Sequence, residues 1–212
     1  MPAARASSSP TSSARDRLLD AATELFATRG YQAIGLRDLA GYVGLHAGSL
    51  YHHIENKQCL LFELIESALS DLLIETKRRM KGAKTNADRL RRFVHAFVAF
   101  QLTEKHRLAL VAREFVNLSE EHKHQANQLK DAYAALLSAI IATDHGEQGR
   151  LDGQICLITN AVIGMLYGQS LWNNVEVSEQ RLTEALTSFV IGIVASSKTT
   201  TDLSCGIFTQ PS

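Results

Sequence analysis

The chain has 212 residues, 45% of them hydrophobic, and 22 Lys and Arg balance 22 Asp and Glu. That length and apolar content suffice for one large buried core or two small ones. No apolar run approaches the ~18 residues of a membrane span, and the neutral balance, uninformative by itself, is mildly awkward for a nucleic-acid binder.

With 13 glycines, three prolines and no sustained strand-like alternation, the pattern predicts an all-α protein of about nine helices. Residues 1–12 are rich in Ser, Ala and Pro, lack the apolar stretch of a secretory signal and are expected to form a disordered arm. Ser12 or Ser13 caps a first helix, and Asp16 supplies the third-position carboxylate of a capping box. Leu18, Leu19, Ala22, Leu25 and Phe26 then recur at helical spacing until Gly30 ends the helix.

Two short apolar-patterned segments follow, Leu36–Val43 and Ala47–Ile54, around a tight Gly44-Leu45-His46 connection. Ala40 and Gly44 stand four apart. A small residue lets two helices approach, and a glycine takes the left-handed turn at little steric cost, which is the requirement of a helix-turn-helix. The second segment is then a recognition helix sized for the major groove of DNA. An arm carrying Arg5 or Arg15 could reach a minor groove, or the terminus is simply untethered. Residues 1–57 hold only six basic side chains (Arg5, Arg15, Arg17, Arg29, Arg37, Lys57) against five acidic ones. DNA contacts must therefore be local, or a dimer must combine two modest patches.

Asn56 is a natural N-cap for a fourth helix reaching Met80, with Leu60, Leu61, Leu64, Ile65, Ala68, Leu69 and Leu72 on its apolar face. After a break at Lys81–Lys84, five more helices are expected at 87–102, 105–117, 119–142, 150–174 and 178–196, with a further break at Asp144–Gly149. The last two are the most apolar and serve either as internal core or as a subunit interface. The division expected is an arm at 1–12, a helix-turn-helix domain at 13–60, a helical domain at 61–196 and a flexible tail at 197–212.

Cys59, Cys156 and Cys205 are odd in number and widely spaced. They make neither a disulfide framework nor a metal site, and a reducing cytoplasm fits. No enzyme constellation is present: His122 and His124 are two apart, whereas a helical metal pair needs four. His95, His106 and His122 leave a metal-responsive protein open, without support from their spacing.

The pattern resembles the TetR family of bacterial one-component transcriptional regulators. The resemblance rests on Ala21-Ala22, Leu25-Phe26, Gly30-Tyr31, Leu36-Arg37-Asp38-Leu39-Ala40, Gly44-Leu45, Gly48-Ser49-Leu50-Tyr51-His52 and Lys57, within about the first 65 residues. It implies a three-helix DNA-binding domain followed by a helical ligand-binding and dimerisation domain. It further implies a homodimer, joined through the last two long helices, that binds a palindromic operator as a repressor and is released by a small molecule, with no cofactor. The DNA-contacting residues would be Arg37, His46, Ala47, Gly48, Ser49, Tyr51, His52 and Lys57. Lys57 falls at the first turn of the fourth helix, where a phosphate is favoured. His52 and His53 cannot both face DNA, since neighbours on a helix are ~100° apart. Where the family usually carries Ser or Thr, this chain has Gly35 and His46, neither of which brings a capping hydroxyl. Those two departures leave open a helical interaction protein that no longer reads DNA.

An effector cavity is expected within 87–172, among Phe93, Phe97, Phe100, Arg113, Tyr133, Asn160 and Trp172. A Phe stripe at that spacing fits plain core as well. Gly164-Met165 with Trp172 resembles the family branch that responds to acyl-CoA thioesters, implying a mainly apolar effector with a polar or acidic end. The run Lys77, Arg78, Arg79, Lys81, Lys84 would hold phosphates, flank DNA or be a solvated helix end.

Overall fold

The computed structural model describes residues 13–52, 54–151, 153–172 and 177–204. Among them every regular element is helical: α1 Ala14–Arg29, α2 Leu36–Tyr42, α3 Ala47–Leu50, α4 Lys57–Met80, α5 Asn86–Thr103, α6 Lys105–Glu114, α7 Glu120–Leu151, α8 Gln154–Trp172 and α9 Glu179–Ser204, with one 3-10 turn at Phe115–Asn117. No helix among these residues is long and apolar enough to cross a membrane.

Local chemistry sets the helix ends. The Asp16 amide donates to the Ser13 hydroxyl at 3.1 Å while the Ser13 amide donates to the Asp16 carboxylate at 3.0 Å, a reciprocal cap that starts α1. That hydroxyl and the Ser13 backbone hold the Asp16 carboxyl below the usual carboxylate range. Gly30 ends α1 at φ +91°. Asn56 caps α4 by accepting from the Cys59 amide at 2.8 Å, and Thr85 caps α5 by accepting from Asp88 at 3.1 Å.

The chain divides into two compact units. Among the described residues, the first comprises 13–68 and 106–124; the second comprises 69–105 and 125–204. In the first, α1 packs on α2 and α2 on α3, around Leu18, Ala22, Leu25, Phe26, Leu39, Leu50, Leu60, Leu61 and Ile65, all at most 3% exposed. In the second, α9 packs on both α5 and α8, around Phe93, Val94, Phe97, Leu137, Val162, Leu166 and Val190.

Several helices differ from the boundaries expected, α8 among them, which begins at Gln154 and not at 150. α3 is regular only to Leu50; beyond it His52 donates to Ser49 at 3.2 Å and Ile54 to Leu50 at 3.1 Å, so the coil continues as looser turns. α6 gives way to a 3-10 turn after Glu114, a common tightening at a helix end. α7 continues through 144–149, where Gly146 and Gly149 suggested a break, because a helical glycine costs about 1 kcal/mol without forcing a stop. α9 extends past Ser196 to Ser204.

Candidate nucleic-acid interface

The turn between α2 and α3 is built on Gly44, at φ +72°. The Gly44 amide donates to the Gly41 carbonyl at 3.3 Å and the Leu45 amide to the Ala40 carbonyl at 2.9 Å. Those 5→2 and 6→1 bonds make a Schellman cap, which needs a left-handed residue where Gly44 stands. Inside the turn Leu39, Ala40 and Leu50 are buried, and α2 packs on both α1 and α3. Gly35 begins α2 without a side-chain cap. Half of a capping box survives, because its amide donates to the Asp38 carboxylate at 2.9 Å. His46 begins α3 and likewise caps nothing with its ring.

With the apolar side committed to the core, the other side of the motif carries the polar groups. Arg37, His46, Gly48 and His52 are exposed and Ser49 is half-buried, while Tyr51 is 61% exposed. Tyr51 is therefore not packed against α1. The side chain of Ala47 and all of His53 lie outside the described residues. Tyr42, at the end of α2, is 54% exposed beside this face. Sequence reasoning passed over it as part of an apolar segment, although a tyrosine's polar tip was the available signal. Arg15 lies in the first turn of α1, bonded to Glu63 of α4, and not on an arm; Arg5 lies outside the described residues.

Lys57 is the first residue of α4. Its ammonium rests 4.1 Å from the centre of the Tyr31 ring and 5.9 Å from that of Phe26, and Tyr31 meets Phe26 edge-on at 5.3 Å. Such a cation–π contact is worth about 1 kcal/mol. Burial pushes the Lys57 ammonium below the usual lysine range, and the Glu114 carboxylate partly restores it. Burial pushes the Tyr31 phenol up. Three amide contacts gather beside this pair. Gln32 donates to the Asn117 side chain at 3.1 Å, Gln58 to the Asn117 carbonyl at 2.8 Å, and Asn117 to Glu114 at 2.7 Å. No sequence signal pointed to Asn117.

Residues 18–64 match the model of the bacterial regulatory proteins of the tetR family, and residues 83–194 match that of the tetracyclin repressor-like C-terminal domain. The chain belongs to the TetR family. Its helix-turn-helix lies within the part that matches the tetR-family regulatory-protein model. A stretch of 58 residues is 45% identical to the HTH-type transcriptional repressor KstR2 of Rhodococcus jostii, covering 27% of this chain and 28% of that protein. Over 122 residues it is 33% identical to KstR2 of Mycobacterium tuberculosis, 57% of each chain. The chain thus spans little more than half, at most, of these relatives. Among solved structures, a TetR-family transcriptional regulator from Bordetella parapertussis superposes with a TM-score of 0.78 at 18% identity, covering 83% of this chain and 93% of that one. AibR, solved with isovaleryl coenzyme A and operator DNA, superposes at 0.72 and 17% identity, covering 84% and 97%. At these identities the likeness is one of fold.

The residues expected around an effector fall in different places. Phe93 and Phe97 are fully buried in the second unit and Phe100 nearly so. Phe93 meets Tyr133 of α7 at 5.0 Å, and Phe97 meets Tyr167 of α8 at 5.2 Å. Burial pushes the Tyr133 phenol well up; Tyr167 adds to this and the nearby Thr76 hydroxyl opposes it. Neither the Tyr133 hydroxyl nor that of Thr76 completes a hydrogen bond of good geometry, and the Gln101 carbonyl oxygen also lacks a donor. Asn160 is exposed on α8 and bonds Cys156. Arg113 belongs to the first unit, where it reaches the Ala27 carbonyl at 3.5 Å. The Trp172 side chain lies outside the described residues. In the cationic run, Arg78 and Arg79 both bond Glu75, at 2.7 and 2.6 Å, while Lys77, Lys81 and Lys84 are exposed. Among the described residues no three His, Cys, Asp or Glu side chains are placed to share a metal ion.

Proposed function

We propose that the protein is a cytoplasmic, ligand-responsive repressor that binds a palindromic operator as a homodimer and leaves it when a mainly apolar effector binds. The observation that carries the DNA reading is the division of the helix-turn-helix into two sides. Leu39, Ala40 and Leu50 are buried on one; Arg37, His46, Gly48, Tyr51 and His52 are free on the other. Arg37 and Lys57 would meet phosphates, and Tyr51, His52 and Ser49 would reach backbone or base edges. Ala47 and Gly48 are small enough to let α3 sit on the groove floor.

Dimerisation through α8 and α9 is supported by three large apolar side chains exposed on them, Leu157 at 71%, Phe189 at 58% and Ile191 at 48%. A monomer would leave those side chains in water. Effector binding is assigned to the second unit, at the buried rings of Phe93, Phe97, Phe100 and Tyr133. The Gln101 carbonyl oxygen, buried without a donor, and the buried Tyr133–Thr76 hydroxyl pair, whose bond is of poor geometry, support this, because a ligand's polar end would satisfy them. An acyl-CoA or fatty-acid-like effector is supported by the isovaleryl-CoA bound to AibR. Repression is supported by the name of the KstR2 relatives.

The mechanism is a population shift between two dimer arrangements. Without effector the two recognition helices stand about one DNA turn apart, ~34–36 Å, and enter successive major grooves. Effector binding moves α4 and spoils that spacing. The test is fluorescence anisotropy with the intergenic DNA upstream of the coding sequence, over several salt concentrations, with and without isovaleryl-CoA and palmitoyl-CoA. Binding that weakens with salt and with one of the thioesters is expected. Unchanged operator affinity across acyl chain lengths, with release by a cationic drug instead, contradicts the effector assignment.

A further inference from the structure

The turn after α6 meets the DNA-binding region of the first unit at Asn117. Its side-chain oxygen accepts from Gln32, its carbonyl accepts from Gln58, and its amide nitrogen donates to Glu114. Gln32 follows Tyr31 in sequence and Gln58 follows Lys57. Asn117 therefore fastens together the two segments whose neighbouring side chains form the lysine–aromatic pair, with the Lys57 ammonium 4.1 Å over the Tyr31 ring. Glu114 completes the cluster. It is buried, and a side-chain carbon built on Gly30 would come within 3.9 Å of its carboxylate, which places that carboxylate against the residue before Tyr31.

We infer that Asn117 is a positioning residue for DNA binding, a clasp that fixes the Lys57 ammonium at the rim of the helix-turn-helix. The inference rests on the reading of Lys57 as a phosphate contact. A flexible lysine loses rotamer freedom when it takes up one geometry. Holding its stem along the Tyr31 ring before DNA arrives removes part of that cost from the binding step. An asparagine suits the task because one end of its amide accepts and the other donates. Here those ends face Gln32 and Glu114 respectively. The clasp also gives the α6–α7 turn a lever on the interface. A shift of that turn away from Gln32 and Gln58 frees Lys57 while the helix-turn-helix core stays packed.

A double-mutant cycle tests this by anisotropy with an operator duplex, using Asn117→Ala, Lys57→Ala and the pair at two salt concentrations. Asn117→Ala is expected to weaken binding about three- to tenfold, the size of one hydrogen bond's contribution. The double variant is expected to bind no more weakly than Lys57→Ala alone. Lys57→Ala should lower the salt slope by about one, and Asn117→Ala should lower it in the same direction. A helix that is merely loosened would give additive losses and an unchanged slope. Gln32→Ala, an exposed change that removes one bond, repeats the cycle should Asn117→Ala unfold the protein. Additive losses in both cycles overturn the clasp. So does an Asn117→Ala protein that binds as the parent does while Lys57→Ala is impaired. If Lys57→Ala binds like the parent, the phosphate assignment fails and takes the clasp with it. If the parent binds no duplex above background, the DNA reading itself fails.

Discussion

Replacing Gly44 by alanine probes the helix-turn-helix where its backbone is least tolerant. Gly44 sits at φ +72°, and a side-chain carbon built there meets nothing within 4 Å. The penalty is therefore purely conformational. A left-handed residue with a β-carbon costs about 1–2 kcal/mol, and stiffening the unfolded chain returns roughly 0.4–1 kcal/mol. The net loss is about 1 kcal/mol, which in a chain of this size lowers the melting midpoint by roughly 2–4 °C. Gly44→Asn should lose less, because asparagine visits the left-handed region more readily. Gly48→Ala is the matched control. Gly48 lies in α3, is not among the positive-φ glycines and has nothing within 4 Å of a new carbon. Its midpoint should hold or rise, since alanine is the better helix former, while the added methyl weakens operator binding. Thermal melts followed by circular dichroism at 222 nm measure all three. A Gly44→Ala protein melting at or above the parent, or an asparagine variant falling as far as alanine, would refute the left-handed turn.

Other outcomes follow from single contacts. Glu75 bonds both Arg78 and Arg79, and those bonds hold its carboxyl down to about 2 from an ordinary value of 4.5. The folded state therefore binds its proton later than the unfolded state does as pH falls. Its contribution is present above about pH 4.5 and lost as pH falls toward 2. Solvent screening keeps that contribution below about 1 kcal/mol, and urea unfolding of Glu75→Gln between pH 5 and 3 should show a flatter acid limb. Tyr133→Phe deletes a buried hydroxyl without a good partner, so stability should be unchanged or slightly higher. Its response to acyl-CoA should drop if that hydroxyl meets the effector, and a destabilisation above about 1.5 kcal/mol would mean the hydroxyl is satisfied in the folded protein. Gly35→Ser supplies the missing cap oxygen of α2, but its side-chain carbon comes 3.0 Å from the Asp38 carboxylate. That carboxylate is the end of a flexible side chain and can yield, so a melt should show a gain of a few tenths of a kcal/mol. A clear loss would show Asp38 to be pinned.

What was legible in the sequence was what is encoded locally. Ser13 with Asp16, Gly30, Asn56 and Gly44 each act within a few residues of themselves, so a cap or turn could be read from its own neighbourhood. The apolar spacing of Leu39, Ala40 and Leu50 told which side of the motif is buried. What was not legible depends on distant partners. Asn117 meets Gln32 across 85 positions and Gln58 across 59, and neither residue type advertises such a contact. The course of Lys57 over Tyr31 is likewise a product of packing. Arg113 was grouped with Phe93 and Phe97 by sequence position, yet it lies in the other unit, because residues 106–124 belong with the DNA-binding helices. Helix length was the weakest reading, since Gly146 and Gly149 could mark either a break or a tolerated interior cost.

Selection of tightly bound duplexes from a pool of random DNA tests the DNA-binding dimer most directly, because the protein itself picks out its operator from all sequences. Enrichment of an inverted repeat whose half-sites lie about one helical turn apart is expected, with enrichment lost in Tyr51→Ala. A pool that stays random after repeated rounds, or one enriched in single half-sites without a partner, would contradict it.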